Sequence, residues 1–266
     1  MVTKRIKVKK LKNTRDLGDL TTSDGRRIAP GKLIRSGRLS DLPTKSVYKL
    51  KEIGISTVVD LRIPAEKNDH PDTELPESRY VWLPVTTTPT ETVVSEETMY
   101  RTMKKEGKRL KSDFAYDFDA YMIETYRKIV FGEESQERLR HFIKILLEED
   151  GCVLWHCNSG KDRAGICSML VEALLGVDEQ TIYDDYLISR KYWRAKYRMY
   201  RLGIAVIPSS GSLKKMLFGM MRLKKIYLET VIEEMKAKYG SIIGYCKEAL
   251  GVTDGDIMLL RSKYLV

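Results

Sequence analysis

The stretch that decides the fold reads Cys152-Val153-Leu154-Trp155-His156-Cys157-Asn158-Ser159-Gly160-Lys161-Asp162-Arg163-Ala164-Gly165. Cys152 to His156 is a short apolar run, the pattern of a strand. From Gly160 the spacing turns helical through Ile166, Met169, Leu170, Ala173 and Leu174, with Gly176 as the stop signal. Cys157 and Arg163 therefore face each other across the join of a strand end and a helix start. A loop wound over a helix N-terminus points several N–H groups inward and makes an anion cradle. Gly160 lets that loop take a conformation a side chain resists. Cys157 is then the candidate nucleophile, and Arg163, with its planar fork, the candidate grip on two phosphate oxygens. A thiolate at the base of such a cradle suits phosphoryl transfer: the sulfur attacks phosphorus and water releases the phosphocysteine. Amides and guanidinium meet the developing charge, so neither metal nor cofactor is expected.

Working outward, Thr57–Leu61 (TVVDL) reads as a second buried strand, Lys32–Arg35 and Tyr80–Val85 as shorter ones, and basic-apolar alternation over Lys4–Lys12 as an edge strand. Asp24-Gly25 marks a turn. Ser40 or Asp41 caps a helix over Pro43–Ile53 that ends at Gly54. Helical spacing recurs over Phe114–Phe131, Gln136–Leu147, Glu179–Trp193, Leu223–Lys238 and Ile242–Leu250, and after Thr253-Asp254. Thr86–Ser95 reads as a loop. Tyr100–Lys111, basic but for Glu106, reads as a solvated helix face or as a patch for an acidic substrate or membrane surface. Tyr197–Arg222, with Pro208, Gly211 and a Met-rich cluster at 216–221, reads as an irregular, lid-like insertion around 197–222. Strands alternating with helices predict an α/β class, with a mostly parallel central sheet flanked by helices, in one domain over 1–266.

The chain has 266 residues and a net charge of +10, which favours anionic partners. Its 42% hydrophobic content excludes a mainly disordered or fibrous chain. No apolar run approaches the roughly 18 residues of a membrane span, and the basic N-terminus lacks the apolar core and cleavage site of a signal peptide. Four cysteines make no disulfide framework. A reduced, cytoplasmic protein is expected.

The segment from His156 to Gly165 resembles the active-site signature of cysteine-dependent phosphatases, His-Cys-five residues-Arg. Its Gly160-Lys161-Asp162-Arg163 core resembles the bacterial and fungal branch of tyrosine and dual-specificity phosphatases, which often also accept phosphoinositides. Asn13-Thr14-Arg15-Asp16-Leu17-Gly18 is similar to that branch's N-terminal motif. Arg35-Ser36-Gly37-Arg38-Leu39-Ser40 and Asp60-Leu61-Arg62 with Glu66 match as well, and Tyr239-Gly240 and Gly251-Val252-Thr253 less specifically. The resemblance implies a protein-tyrosine-phosphatase-like fold, with Cys157 as nucleophile and Arg163 as clamp. It implies Asp162 as general acid, with Asp60 as rival, since a carboxyl beside bound phosphate holds its proton against like charge. His156 would orient the loop, Lys161 would attract further phosphate groups, and Asn158, Ser159, Gly160 and Ala164 would complete the substrate cradle. The implied partners are a phosphorylated protein or phosphoinositide and inorganic phosphate in the loop. No nucleic acid is expected, and peripheral contact with an acidic membrane is left open.

Two positions depart from the family pattern. Ala164 stands where Ser or Thr usually follows the arginine, which bears on turnover and keeps open a phosphate-binding module of phosphatase type with little hydrolysis. Asn158 stands where lipid-preferring relatives often have Lys. Blander readings compete elsewhere. Cys152 and Cys157 lack a second Cys/His pair for a metal, and Cys167 and Cys246 read as core. Gly160-Lys161 is not a nucleotide loop, since Trp155 stands where Gly belongs and Asp162 replaces Ser/Thr. Asp60 is as readily half of a salt bridge with Arg62 or Arg35 as a functional acid.

Overall fold

The computed structural model describes residues 3–85, 100, 104–105, 117–207, 209 and 211–266. Strand β6 (Cys152–His156) is buried at all five positions because it lies inside the sheet, with a parallel neighbour on each side. These are β3 (Leu33–Ser36) and β4 (Ile55–Asp60). β5 (Arg79–Trp82) runs parallel to β4 at one edge. At the other edge β2 (Arg15–Asp16) and β1 (Lys4–Arg5) add antiparallel pairs, giving the order β1-β2-β3-β6-β4-β5. The mixed α/β sheet is thus mostly parallel, as expected, although the edge strand predicted over Lys4–Lys12 is only two residues long. The parallel register sets Ser36 beside His156 and Asp60 on its other side. The strand ends form one rim, the place where open α/β sheets bind ligands.

Alternate residues of β6 feed two cores. Val153 and Trp155 join the larger cluster, and Cys152 and Leu154 the smaller. The smaller face is closed by α1 (Thr44–Ile53) through Leu50. Its predicted cap is corrected: Pro43 holds the N-cap with no side-chain bond, while Gly54 ends the helix as expected, in the left-handed region. α2 (Pro64–Asp69) follows β4. The larger face carries α3 (Phe118–Phe131), α4 (Glu133–Glu148), α8 (Lys225–Tyr239), α9 (Ile242–Glu248) and α10 (Asp254–Tyr264) around α5 (Arg163–Leu175). Every residue of α5 from Ala164 to Leu175 is buried, which is why its sequence, Ser168 and Glu172 apart, is apolar all round.

The segment from Tyr197 to Arg222 is the main correction. It is not irregular: α6 (Glu179–Val206) continues into it, and α7 (Gly211–Met220) is the next helix. Nothing breaks the helix at Trp193. Past that point α6 leaves the main core and packs against α7 in a separate cluster of Ile204, Leu213, Leu217 and Met221. The predicted loop at Thr86–Ser95 lies outside the described residues, as does most of the basic stretch Tyr100–Lys111. Among the described residues, no helix is long and apolar enough to cross a membrane.

Candidate active site

The loop between β6 and α5 is held from its outer side. Asn158 O accepts from the Arg38 amide at 3.1 Å. Ser159 O accepts from Trp193 Nε1 at 2.9 Å and Asn13 Nδ2 at 3.2 Å. Gly160 O accepts from Asn13 Nδ2 at 2.6 Å and Arg35 Nη2 at 3.1 Å, and the same Arg35 nitrogen reaches Lys161 O at 3.2 Å. In a trans peptide the N–H points opposite the C=O. Turning these carbonyls outward therefore turns the amides of residues 159–162 toward the hollow of the loop. Gly160 has φ +66°, and a Cβ there would stand 2.5 Å from Ser36 O, so this crossing needs glycine.

The donors are themselves fixed. Arg15 Nη1 donates to Asn13 Oδ1 at 2.6 Å. Arg15 Nε and Arg35 Nη1 converge on Asp185, on α6, at 2.7 and 2.6 Å. Burial works against the charge of Asp185, and the two guanidiniums override it, holding the carboxyl down to about 2. Asn13 and Arg15 of the Asn-Thr-Arg-Asp motif thus act as a frame that aims the loop.

Arg163 is aimed in the same way. Its two terminal nitrogens donate to Glu66 Oε2 and Oε1, on α2, at 2.6 and 2.8 Å. Burial alone lowers its pKa, but Glu66, Cys157 and Asp162 raise it beyond the ordinary arginine value, so its charge is permanent. Asp162 occupies the N-cap of α5, and Tyr126 donates to its Oδ1 at 2.6 Å. The Tyr126 and Tyr186 hydroxyls lie 2.7 Å apart. Burial, then the Asp162 charge, pushes Tyr126 well above the ordinary phenol range, so it stays protonated as a donor.

Asp60 and His156 stand together at the strand rim, but Asp60 is occupied. Arg62 Nε and Nη2 bond its two oxygens at 2.8 Å each. Arg62 Nη2 also lies 2.8 Å from Asp72 Oδ2, and His156 Nε2 lies 3.0 Å from the same oxygen. Burial favours a neutral Asp72, yet His156 and Arg62 hold its carboxyl below the usual range. Asp60, Asp72 and His156 bring potential ligand atoms within 4.8 Å of one another, but the Arg62 guanidinium already lies against both carboxylates.

Cys157 is buried at the head of the loop, and Asn158 accepts from Arg38 Nη1 through Oδ1 at 2.9 Å. Lys161 does not project from the loop as a free cation: it is buried, Nζ reaches Met220 O at 3.2 Å, and it lies over the Tyr197 ring. Ala164 is wholly buried. Beside the loop a cleft of about 180 Å³ is lined by Lys10, Lys12, Arg38, Asn158, Ser159 and Lys196, among others. The other cysteines are buried and unpaired, and burial pushes Cys152 and Cys246 up to about 12. Sequence reasoning gave no site role to Asn13, Arg15, Arg35 or Glu66, although all lie in the motifs it matched. It missed Asp72, Tyr126, Tyr186, Asp185 and Trp193, which no local pattern marks.

An α/β sheet with a Cys-to-Arg loop between its central strand and most buried helix is the framework of a class of phosphoric monoester hydrolases. Within that class, the chain matches the tyrosine phosphatase family over residues 6–266 and belongs to it. It is 29% identical over 255 residues to a Cupriavidus necator protein named as a tyrosine-protein phosphatase, covering 96% of this chain and 86% of that one. It is 28% identical over 271 residues to PtpB of Mycobacterium tuberculosis, a triple specificity protein phosphatase, covering 95% of this chain and 96% of that one. A tyrosine-protein phosphatase of Nostoc commune is 25% identical over 85% of this chain and 71% of its own. The solved complex of P. aeruginosa TpbA with phosphotyrosine is 19% identical and aligns at a TM-score of 0.28 over 68% of this chain and 90% of its own.

Proposed function

We propose that the protein hydrolyses phosphotyrosine through a phosphocysteine on Cys157. The Cys157 sulfur attacks phosphorus, the P–O bond to the tyrosine breaks, and Asp162 gives its proton to the leaving oxygen. A water then attacks phosphorus, passes its proton to Asp162, and the P–S bond breaks to free phosphate. The inward amides and Arg163 bind the charge on the transferring oxygens throughout. The observation that carries this reading is the outward fastening of the loop carbonyls together with the two-point hold of Glu66 on Arg163. Asp162 is favoured over Asp60 as the acid because both oxygens of Asp60 are taken by Arg62. Replacing Cys157 with Ser should abolish turnover of an aryl phosphate while vanadate still binds; a Cys157→Ser protein with full activity overturns the mechanism.

The triple specificity in the name of PtpB supports a substrate range wider than phosphotyrosine, which we extend to phosphoserine, phosphothreonine and phosphoinositides, and the basic cleft beside the loop supports multiply charged esters. One purified sample assayed against phosphopeptides and inositol lipids ranks these directly. Ala164 supports a second reading, a phosphate binder with slow turnover, because no hydroxyl follows Arg163. A burst of one product per enzyme, followed by very slow release, would favour it; linear turnover from the first cycle removes it.

A further inference from the structure

From Tyr186 to Leu228 the chain carries eleven Lys and Arg and no Asp or Glu, so its other 223 residues together carry a net charge of −1. This acid-free basic segment is formed by the outer half of α6, α7 and the start of α8. Lys191, Arg194, Arg198, Arg201 and Arg222 are exposed there. They line an open groove of about 710 Å³ together with the apolar Leu202, Phe218 and Met221. On the same helix Met199, Leu202 and Val206 are 72, 66 and 81% exposed, spaced so that they form one stripe.

We propose that this face docks on an anionic lipid bilayer. The charge pattern selects an anionic partner, and the exposed stripe selects among anionic partners. A nucleic acid backbone gives three large apolar side chains nothing to bury, whereas a bilayer interface takes them below the headgroups while the cations meet lipid phosphates and carboxylates. The face is also fastened to the catalytic loop, through Trp193 Nε1 on Ser159 O and Lys161 Nζ on Met220 O. Docking here places the phosphate cradle next to the headgroup layer.

Co-sedimentation of the full chain with vesicles tests the proposal without any enzymatic readout, so it stands apart from the catalytic reading. The protein should pellet with phosphatidylcholine–phosphatidylserine vesicles and not with phosphatidylcholine alone, and added salt should release it. At about fivefold per cation near an anionic surface, the combined Arg194→Gln, Arg198→Gln, Arg201→Gln variant should bind about a hundredfold more weakly. Combined Met199→Ser, Leu202→Ser and Val206→Ser should weaken vesicle binding at least tenfold while leaving binding to duplex DNA unchanged. All six side chains are exposed, and an unaltered melting temperature confirms that each variant folds. Equal partition to neutral and anionic vesicles overturns the proposal. So does vesicle binding that ignores the serine variant, which would mark the face as a simple polyanion site.

Discussion

At the scale of single residues, the site depends on carboxylates that hold its cations in place. Glu66 holds both terminal nitrogens of Arg163, so the guanidinium can offer phosphate only the geometry Glu66 permits. Glu66→Gln keeps the shape and removes the charge-assisted pair, a change of about 1.5–3 kcal/mol. In steady-state assays kcat/KM for an aryl phosphate should fall roughly 10- to 100-fold, and the thermal midpoint should drop by several degrees. The two candidate acids should separate as cleanly. Asp162→Asn should lower kcat about 10²–10⁴-fold for an ester with a poor leaving group, and far less for one whose leaving oxygen needs no proton. Asp60→Asn should act on stability instead, through loss of charge-assisted bonds to Arg62 worth about 1–3 kcal/mol, with kcat within about tenfold of the parent. A kcat collapse in Asp60→Asn with an intact fold would reverse the assignment. The sequence exposed Cys157, Asp162 and Arg163 because their chemistry sits within one loop. It hid Asp72, Asp185 and Tyr126 because each acts from another element, and the spacing around Tyr126 marks only a helical core face.

At the scale of elements, the loop between β6 and α5 works because β2, β3 and α6 meet behind it. Asp185 is the common point: Arg15 and Arg35 both end on it, and Arg35 continues to the Gly160 and Lys161 carbonyls. Removing that charge leaves two buried guanidiniums facing each other, so Asp185→Ala should cost about 3–5 kcal/mol of stability. Denaturant unfolding measures it, and a loss below about 1 kcal/mol would show the network to be dispensable. The pH dependence has a definite sign. The folded carboxyl is held down to about 2, below its ordinary value of 3.8. Its contribution is present above the ordinary value and disappears as pH falls through the folded one. The parent should lose stability in that acid window, and Asp185→Ala should lose less there. Element boundaries were legible where the chain changes character abruptly. β6 begins and ends where expected, and α5 stops at Gly176 because a left-handed residue is needed there. They were not legible along α6, where residues 194–206 are charged, aromatic and apolar by turns and carry no stripe that points at the main core.

At the scale of the whole molecule, stability is unevenly spread, and α6 spans the divide. At 1.5 Å per residue its 28 residues extend roughly 42 Å. Ile182, Tyr183 and Tyr186 belong to the large cluster that also holds β6 and α5. Ile204, near the far end, belongs to the small cluster shared with α7. A helix segment with few buried apolar partners opens without the rest of the fold, and its amides exchange at a rate set by that local opening. Amides of 200–206 and of α7 should therefore exchange through sub-global opening, several hundredfold faster than those of 182–186 and of α5, a difference of about 3–4 kcal/mol in protection. Hydrogen exchange read by mass spectrometry on the unliganded chain resolves the two halves of one continuous helix. Uniform protection along α6 would mean that the satellite cluster is energetically part of the main core. A step near Trp193 would instead locate the boundary where the helix leaves the sheet-supported core. Trp193 itself should sit on the protected side, because its indole nitrogen is tied to the Ser159 carbonyl in the loop between β6 and α5.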